Sequence, residues 1–315
     1  MTPEELLEAV RHLPDLVRDI AVAASDIEDL PDREGITEVI ILGTGPGRVA
    51  GDVVEALAEF HGDVPVVATG ARCPSWVGEG TLAFAVSSVG EAPAATAAAE
   101  LARSAGARMI AVTSEGELDE WATRHEVPAV RVDPDSGPAS GLGVAIVPVL
   151  VLLERLGLAS GMSRLISGSA SQLDARRRAI DEDHSEIDAI ARDLEGRVAI
   201  VCGAGAIGKN AARRWVQELD RVGGIPAVRR RLPVNSEDVA TWSRLSEKVT
   251  GGVVAVVLRH DHEPEGLTGG HDLLGESVST VIEVSATGDG ALAQLLDLVL
   301  VADAVAAALR AASAA

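Results

Sequence analysis

The run Glu38-Val39-Ile40-Ile41-Leu42 passes directly into Gly43-Thr44-Gly45-Pro46-Gly47. Its β-branched residues fit a strand buried on both faces, as in a parallel sheet. The glycines behind it fit a tight turn into a helix. The same plan continues outward. Strands are expected at 64–69, 81–87, 108–113 and 129–132, with helices at 49–60, 92–104 and 117–125 between them. Residues 1–30 read as one or two further helices. Strand, helix and strand at this spacing mean a doubly wound parallel sheet.

Arg197-Val198-Ala199-Ile200-Val201-Cys202 restarts the plan, again with glycines behind it. A helix is expected at about 209–221, strands at 227–230, 252–258 and 279–284, and a last helix at 291–310. The fold class is therefore α/β, two tandem doubly wound parallel-sheet domains, 1–157 and 158–315. Between the two plans, residues 134–143 read as a Pro/Gly/Ser-rich loop, 144–157 as an apolar buried helix, and 171–195 as one long charged helix, a connector or an oligomer face.

Composition narrows the function. The formal net charge is −21, aromatics are 2% of residues and there is no Tyr. Such a surface repels phosphate backbones and offers few rings for bases to stack on, so nucleic-acid binding is not expected. The two cysteines, Cys73 and Cys202, match no metal spacing and fit a reducing compartment. The start is an acidic amphipathic helix rather than a signal peptide, and the apolar run 144–153 is too short to span a bilayer. A cytoplasmic protein without a membrane partner is expected.

Two glycine loops carry the strongest local signals. Glycines between a strand and a helix let the backbone turn and approach a ligand, and the helix N-terminus then faces any anion. The second loop, Gly203-Ala204-Gly205-Ala206-Ile207-Gly208-Lys209-Asn210, fits G-x-G-x-x-G, the dinucleotide pattern. Arg229-Arg230-Arg231 follow on the next strand, where an NADP 2′-phosphate would sit or where acidic residues of the partner domain would pair. Close strand–helix packing explains the same glycines equally well. The P-loop pattern fails at Asn210, which stands where a Mg²⁺-binding Ser or Thr is needed. His260-Asp261-His262-Glu263-Pro264-Glu265, with His271-Asp272, is the densest metal-capable set, but it lacks a recognised zinc spacing, and no metal is assigned. No cofactor is assigned either.

The order of segments resembles the bifunctional phosphoglucose/phosphomannose isomerases, proteins of tandem sugar-isomerase (SIS) domains. The resemblance rests on the 43–47 loop with Gly51-Asp52, on Val64-Pro65-Val66, Pro74-Ser75-Trp76-Val77 and the strand 82–86 entering Ser87-Ser88-Val89-Gly90. It continues through Thr113-Ser114-Glu115-Gly116-Glu117-Leu118, Pro138, Gly141-Leu142-Gly143, Arg214-Trp215, Leu232-Pro233 and Trp242. It implies aldose–ketose isomerisation of hexose 6-phosphates, a sugar-phosphate ligand and a homodimer. That chemistry needs a phosphate cradle and a base.

The resemblance places ligand-binding positions at Gly43, Gly45, Gly47, Ser87, Ser88, Gly90, Thr113 and Ser114. Gly203 and Gly205 join them from the second loop. At the catalytic positions the chain departs from the family. The arginine after proline is Ala139, the glutamate past the tryptophan is Arg221, and the histidine falls on Ser236. Val89 and Ala92 stand at cradle hydroxyl positions, Gly47 at a serine position, and Glu91 adds a charge that repels phosphate. A guanidinium stays protonated and cannot act as a base. The expectation is a phosphosugar-binding protein with weak or lost isomerase activity, with no catalytic residue assigned. The alternatives are an isomerase with a rearranged site and an NADP-binding protein using the second loop.

Overall fold

The computed structural model describes residues 3–88, 91–132, 137–265, 274, 275 and 277–314. The chain forms two compact units, one of His12–Ala170 and one of Ser171–Ala315 with Met1–Arg11.

In the first unit, β1 (Glu38–Gly43), β2 (Val66–Gly70), β3 (Thr81–Ser87), β4 (Arg108–Thr113) and β5 (Ala129–Arg131) form one parallel sheet in the order β2-β1-β3-β4-β5. The core runs of β1, β3 and β4 are apolar and buried on both faces, as two covering helix layers require. Helices α2 (Pro46–His61) and α5 (Gly137–Arg155) cover one face. Helices α3 (Pro93–Ser104) and α4 (Glu117–Arg124) cover the other, around Ile40, Ala83, Met109 and Trp121. α1 (Pro3–Asp26) runs from one unit into the other, and α6 (Met162–Glu182) also spans the boundary at 170/171.

In the second unit, β6 (Val198–Gly203), β7 (Ala227–Arg231), β8 (Val253–Arg259) and β9 (Thr280–Ser285) form a parallel sheet in the order β7-β6-β8-β9. α8 (Gly205–Arg221) packs on the sheet and against α10 (Ala291–Ala314), which also meets α7 (Ser185–Leu194). Trp242 of α9 (Ser236–Ser246) joins Ile200, Cys202, Ala255 and Val257 in a core cluster. α10 is long and apolar enough to cross a membrane, but 94% of its apolar window is buried, so it serves as the core helix of this unit. Both sheets reverse winding direction beside their first strand, at β1/β3 and β6/β8. Open α/β sheets bind ligands at the carboxyl side of such points.

The tandem doubly wound architecture is the expected one, and several local expectations are corrected. The single helix expected at 171–195 is two helices, broken at residues 183 and 184, because the Asp183 carboxylate accepts from the Ser185 backbone N–H at 2.9 Å and starts α7. α5 begins at Gly137, inside the expected loop, with Pro138 in its first turn, where a missing N–H costs nothing. α8 begins at Gly205 rather than 209, because close packing on β6 overrides the poor helix propensity of glycine. α9 was not expected as a helix at all.

Candidate functional site

The switch point of the first unit gathers most of the expected ligand residues. Gly43 ends β1 in register with Val86, and Ser87 ends β3 in register with Thr113, the last residue of β4. Ser87, Thr113 and Ser114 are buried, and Ser88 is half-buried. The Thr113 hydroxyl donates to the Ser114 carbonyl at 2.8 Å, while the Ser114 hydroxyl has no partner. Gly90 lies outside the described residues.

The first loop is tight because of its glycines. A Cβ on Gly47 would stand 2.3 Å from the Val86 carbonyl oxygen, so the first turn of α2 lies directly on β3. Gly45, the N-cap of α2, has φ +52°, and nothing lies within 4 Å of where its Cβ would be. No side chain caps this helix and its first turn holds no acid. Pro46 brings no N–H, and the Gly47 and Arg48 amides bond the Thr44 and Gly45 carbonyls at 3.0 and 3.2 Å, so what the loop offers an anion is the positive end of the helix.

Sequence reasoning missed Arg48. It sits in the first turn of α2, with Nε and Nη2 3.1 and 2.8 Å from one oxygen of the buried Asp52. Its Nη1 stands 3.0 Å from where a Cβ of Gly70 would be, at the carboxyl end of β2. The i,i+4 spacing of Arg48 and Asp52 on a helix was the available signal.

The second unit holds Gly203 and Gly205 at its own switch point. A Cβ on Gly203 would lie 2.1 Å from the Gly208 carbonyl oxygen, so these glycines set the contact between β6 and α8. Gly205 repeats the left-handed backbone of Gly45, with φ +57°. His260, just beyond β8, is 8% exposed and turns inward onto the loop. Its Nε2 lies 3.0 Å from the Ala204 carbonyl and 3.2 Å from the Gly208 amide. Burial holds its pKa below the usual histidine value. Among the described residues, no three His, Cys, Asp or Glu side chains converge as a metal would require. His271 and Asp272 lie outside the described residues.

Of the three arginines of the basic strand, Arg230 has its partners within its own unit. Arg230 pairs with Asp238 of α9 at 3.4 Å and lies over the Trp242 ring at 5.9 Å.

The positions where the resemblance places catalytic groups have other tasks. Arg221 closes α8 and pairs with Glu218 at 2.8 Å. The Glu218 side chain, 3% exposed, also pairs with Arg214 at 3.0 Å, and Arg214 reaches the buried Asp303 at 3.0 Å. Glu218 lies one helical turn before Arg221 and is held by two guanidiniums. Ser236 is exposed at the start of α9, where Asn235 caps the helix by accepting from the Asp238 amide at 2.8 Å. Ala139 lies on α5, and its side chain is outside the described residues.

Residues 183–313 match the family of bacterial phosphoglucose isomerase C-terminal SIS domains. The chain is 24% identical over 309 residues to a bifunctional phosphoglucose/phosphomannose isomerase of Caldicellulosiruptor bescii, covering 95% of this chain and 91% of that one. The fold resembles the C-terminal domain of glucosamine-fructose-6-phosphate aminotransferase from Francisella tularensis, with TM-score 0.74 and 13% identity over 98% of this chain and 96% of that one. It also resembles tagatose-6-phosphate ketose/aldose isomerase from Escherichia coli, with TM-score 0.67 and 14% identity over 97% and 92% of the two chains. The relationship expected from the sequence is the one these comparisons return.

Proposed function

We propose that this relative of the bifunctional phosphoglucose/phosphomannose isomerases is a phosphosugar-binding protein whose isomerase activity is weak or lost. The observation that carries the reading is Arg221. At the position the resemblance gives to a catalytic glutamate stands a permanent cation, ion-paired to Glu218. An aldose–ketose isomerisation needs a group that accepts a proton from one carbon and returns it to its neighbour. A guanidinium cannot do so.

The ligand group lies at the first switch point. Gly43, Gly45, Gly47, Ser87, Ser88, Thr113 and Ser114 form it, Gly90 is assigned to it by the resemblance alone, and the positive start of α2 favours the phosphate. Arg48, oriented by Asp52, supplies the nearby cation. The same reading carries a homodimer, a cytoplasmic setting and domain boundaries at 157/158 as proposals from the family.

Calorimetric titration of the whole chain with glucose, mannose and fructose 6-phosphates tests the binding. Saturable binding that weakens in Arg48→Ala is expected, and no binding of any of the three sinks the proposal. A coupled assay of fructose 6-phosphate formation tests the lost reaction. Turnover near about 10 s⁻¹, an ordinary enzymatic rate, overturns that half of the reading.

A further inference from the structure

Two loops of one design end the first strands of the two sheets, and their surroundings differ. Gly45 and Gly205 share a left-handed backbone. The space beside Gly45 is open for 4 Å, but beside Gly205 stand the His262 carbonyl oxygen and Pro264 Cδ, both at 3.5 Å, and His260 Cε1 at 3.9 Å, measured from an ideal Cβ.

We propose that the 203–208 loop is a phosphate-type anion site plugged from within by His260, whose imidazole occupies the place beside the α8 amides that an anion would take. An anion bound by backbone amides needs its oxygens about 2.7–3.2 Å from the nitrogens. The His260 ring nitrogen already lies 3.2 Å from the Gly208 nitrogen. The ring is buried, its Nε2 lies against the loop, and its Nδ1 has no hydrogen-bond partner. α8, like α2, has no side-chain cap and no acid in its first turn. In the tautomer that carries its proton on Nδ1, the Nε2 lone pair accepts from the Gly208 amide, and in either tautomer the ring fills the space an anion would need.

The plug is anchored. The His260 backbone N–H donates to the Glu263 carboxylate at 3.1 Å, and Glu263 pairs with Arg259 at 3.3 Å. Gln294 of α10 accepts from the Asp261 amide at 3.0 Å and donates to the Asp261 carboxylate at 2.6 Å. The segment 260–264 is therefore held by the sheet and by the core helix. The depressed basicity of His260 agrees with this placement, because an imidazolium would set a positive charge on the positive end of α8. This inference rests on the second unit alone, independent of sugar-phosphate binding. It excludes use of the G-x-G-x-x-G pattern for NADP.

The test is a titration of the ¹⁵N-labelled whole chain with inorganic phosphate and, separately, with NADP, following the amides of Gly205, Ala206, Ile207 and Gly208. In the natural protein these amides are expected to stay unmoved by either. In His260→Gly they are expected to shift saturably with phosphate, with affinity raised about tenfold or more, and added imidazole is expected to reverse the shift. His260→Gln, which keeps a polar group in the space, is expected to stay silent. Saturable movement of these amides in the natural protein, with either ligand, overturns the plug. A folded His260→Gly chain that ignores phosphate overturns the anion site. If that variant does not fold, His260→Ala replaces it, and the titration of the natural protein needs no variant.

Discussion

Arg221 and Glu218 form a 2.8 Å ion pair across the last turn of α8, and the same Glu218 carboxylate holds Arg214. The position that the resemblance gives to a catalytic glutamate is thereby the exposed end of an ionic chain that runs inward through Glu218 and Arg214 to Asp303. Reversing one substitution does not recreate a free base.

Arg221→Glu is therefore expected to be inactive and less stable. It would place two carboxylates at i,i+3 and take one of two partners from a buried acid. The loss should be about 1–2 kcal/mol, above that of an exposed like-charge pair. Urea unfolding measures the stability and the coupled isomerase assay measures the activity. Turnover in this variant would mean that the base alone was missing.

The glycines of the first loop are expected to respond differently to alanine. Gly47→Ala drives a methyl to 2.3 Å from the Val86 carbonyl, a clash of backbone with backbone, and should remove about 3 kcal/mol. Gly45→Ala meets no neighbour and is strained only by its backbone, φ +52° with ψ −123°, about 2 kcal/mol. Thermal unfolding of the two variants checks the order. The reverse order would mean that α2 does not lie against β3 as described.

His260 gives a pH dependence of known sign. Its folded pKa lies below the ordinary value of 6.5, so the unfolded chain takes up the proton first as pH falls. Stability from this group is present above about pH 6.5 and is lost as pH drops through the folded value. The slope is at most one proton's worth, about 1.4 kcal/mol per pH unit. Arg259, Asp261, His262 and Glu263 are neighbouring charged or ionisable side chains, so the measurement is the difference in unfolding midpoint between the natural protein and His260→Gln from about pH 7.5 to 5. Parallel curves would contradict the buried neutral ring.

The two thiols are expected to separate cleanly. Cys202 lies inside β6, and burial pushes its thiol up to about 12. Cys73 is only half-buried, and desolvation raises its thiol as well. A disulfide reagent at pH 8 should titrate Cys73 slowly in the folded protein and reach Cys202 only in denaturant. Rapid reaction of both would place β6 nearer the surface.

The strands were legible because burial on both faces leaves runs such as 38–42 and 198–202 almost no polar residues. The glycine loops were legible as loops, but not which one is open, since that depends on His260 arriving from 52 residues further along the chain. Glu218 was not singled out because its importance comes from Arg214, Arg221 and Asp303 together, and Asp303 is distant in sequence. The Arg230–Asp238 pair was hidden for a related reason: nothing in the sequence says that α9 folds back over β7. The break at residues 183 and 184 was the kind of local signal that could have been read, an Asp two residues ahead of a Ser amide.

The contact between Gly203 and Gly208 has a consequence for how such chains are recognised. The spacing that a motif search reads as a dinucleotide fingerprint is here required by van der Waals volume where one strand meets one helix. Mutational drift that kept this shape would keep the fingerprint too, with no ligand to select for it. In tandem proteins of this kind the pattern is a record of geometry, and occupancy has to be judged from whatever follows the neighbouring strand.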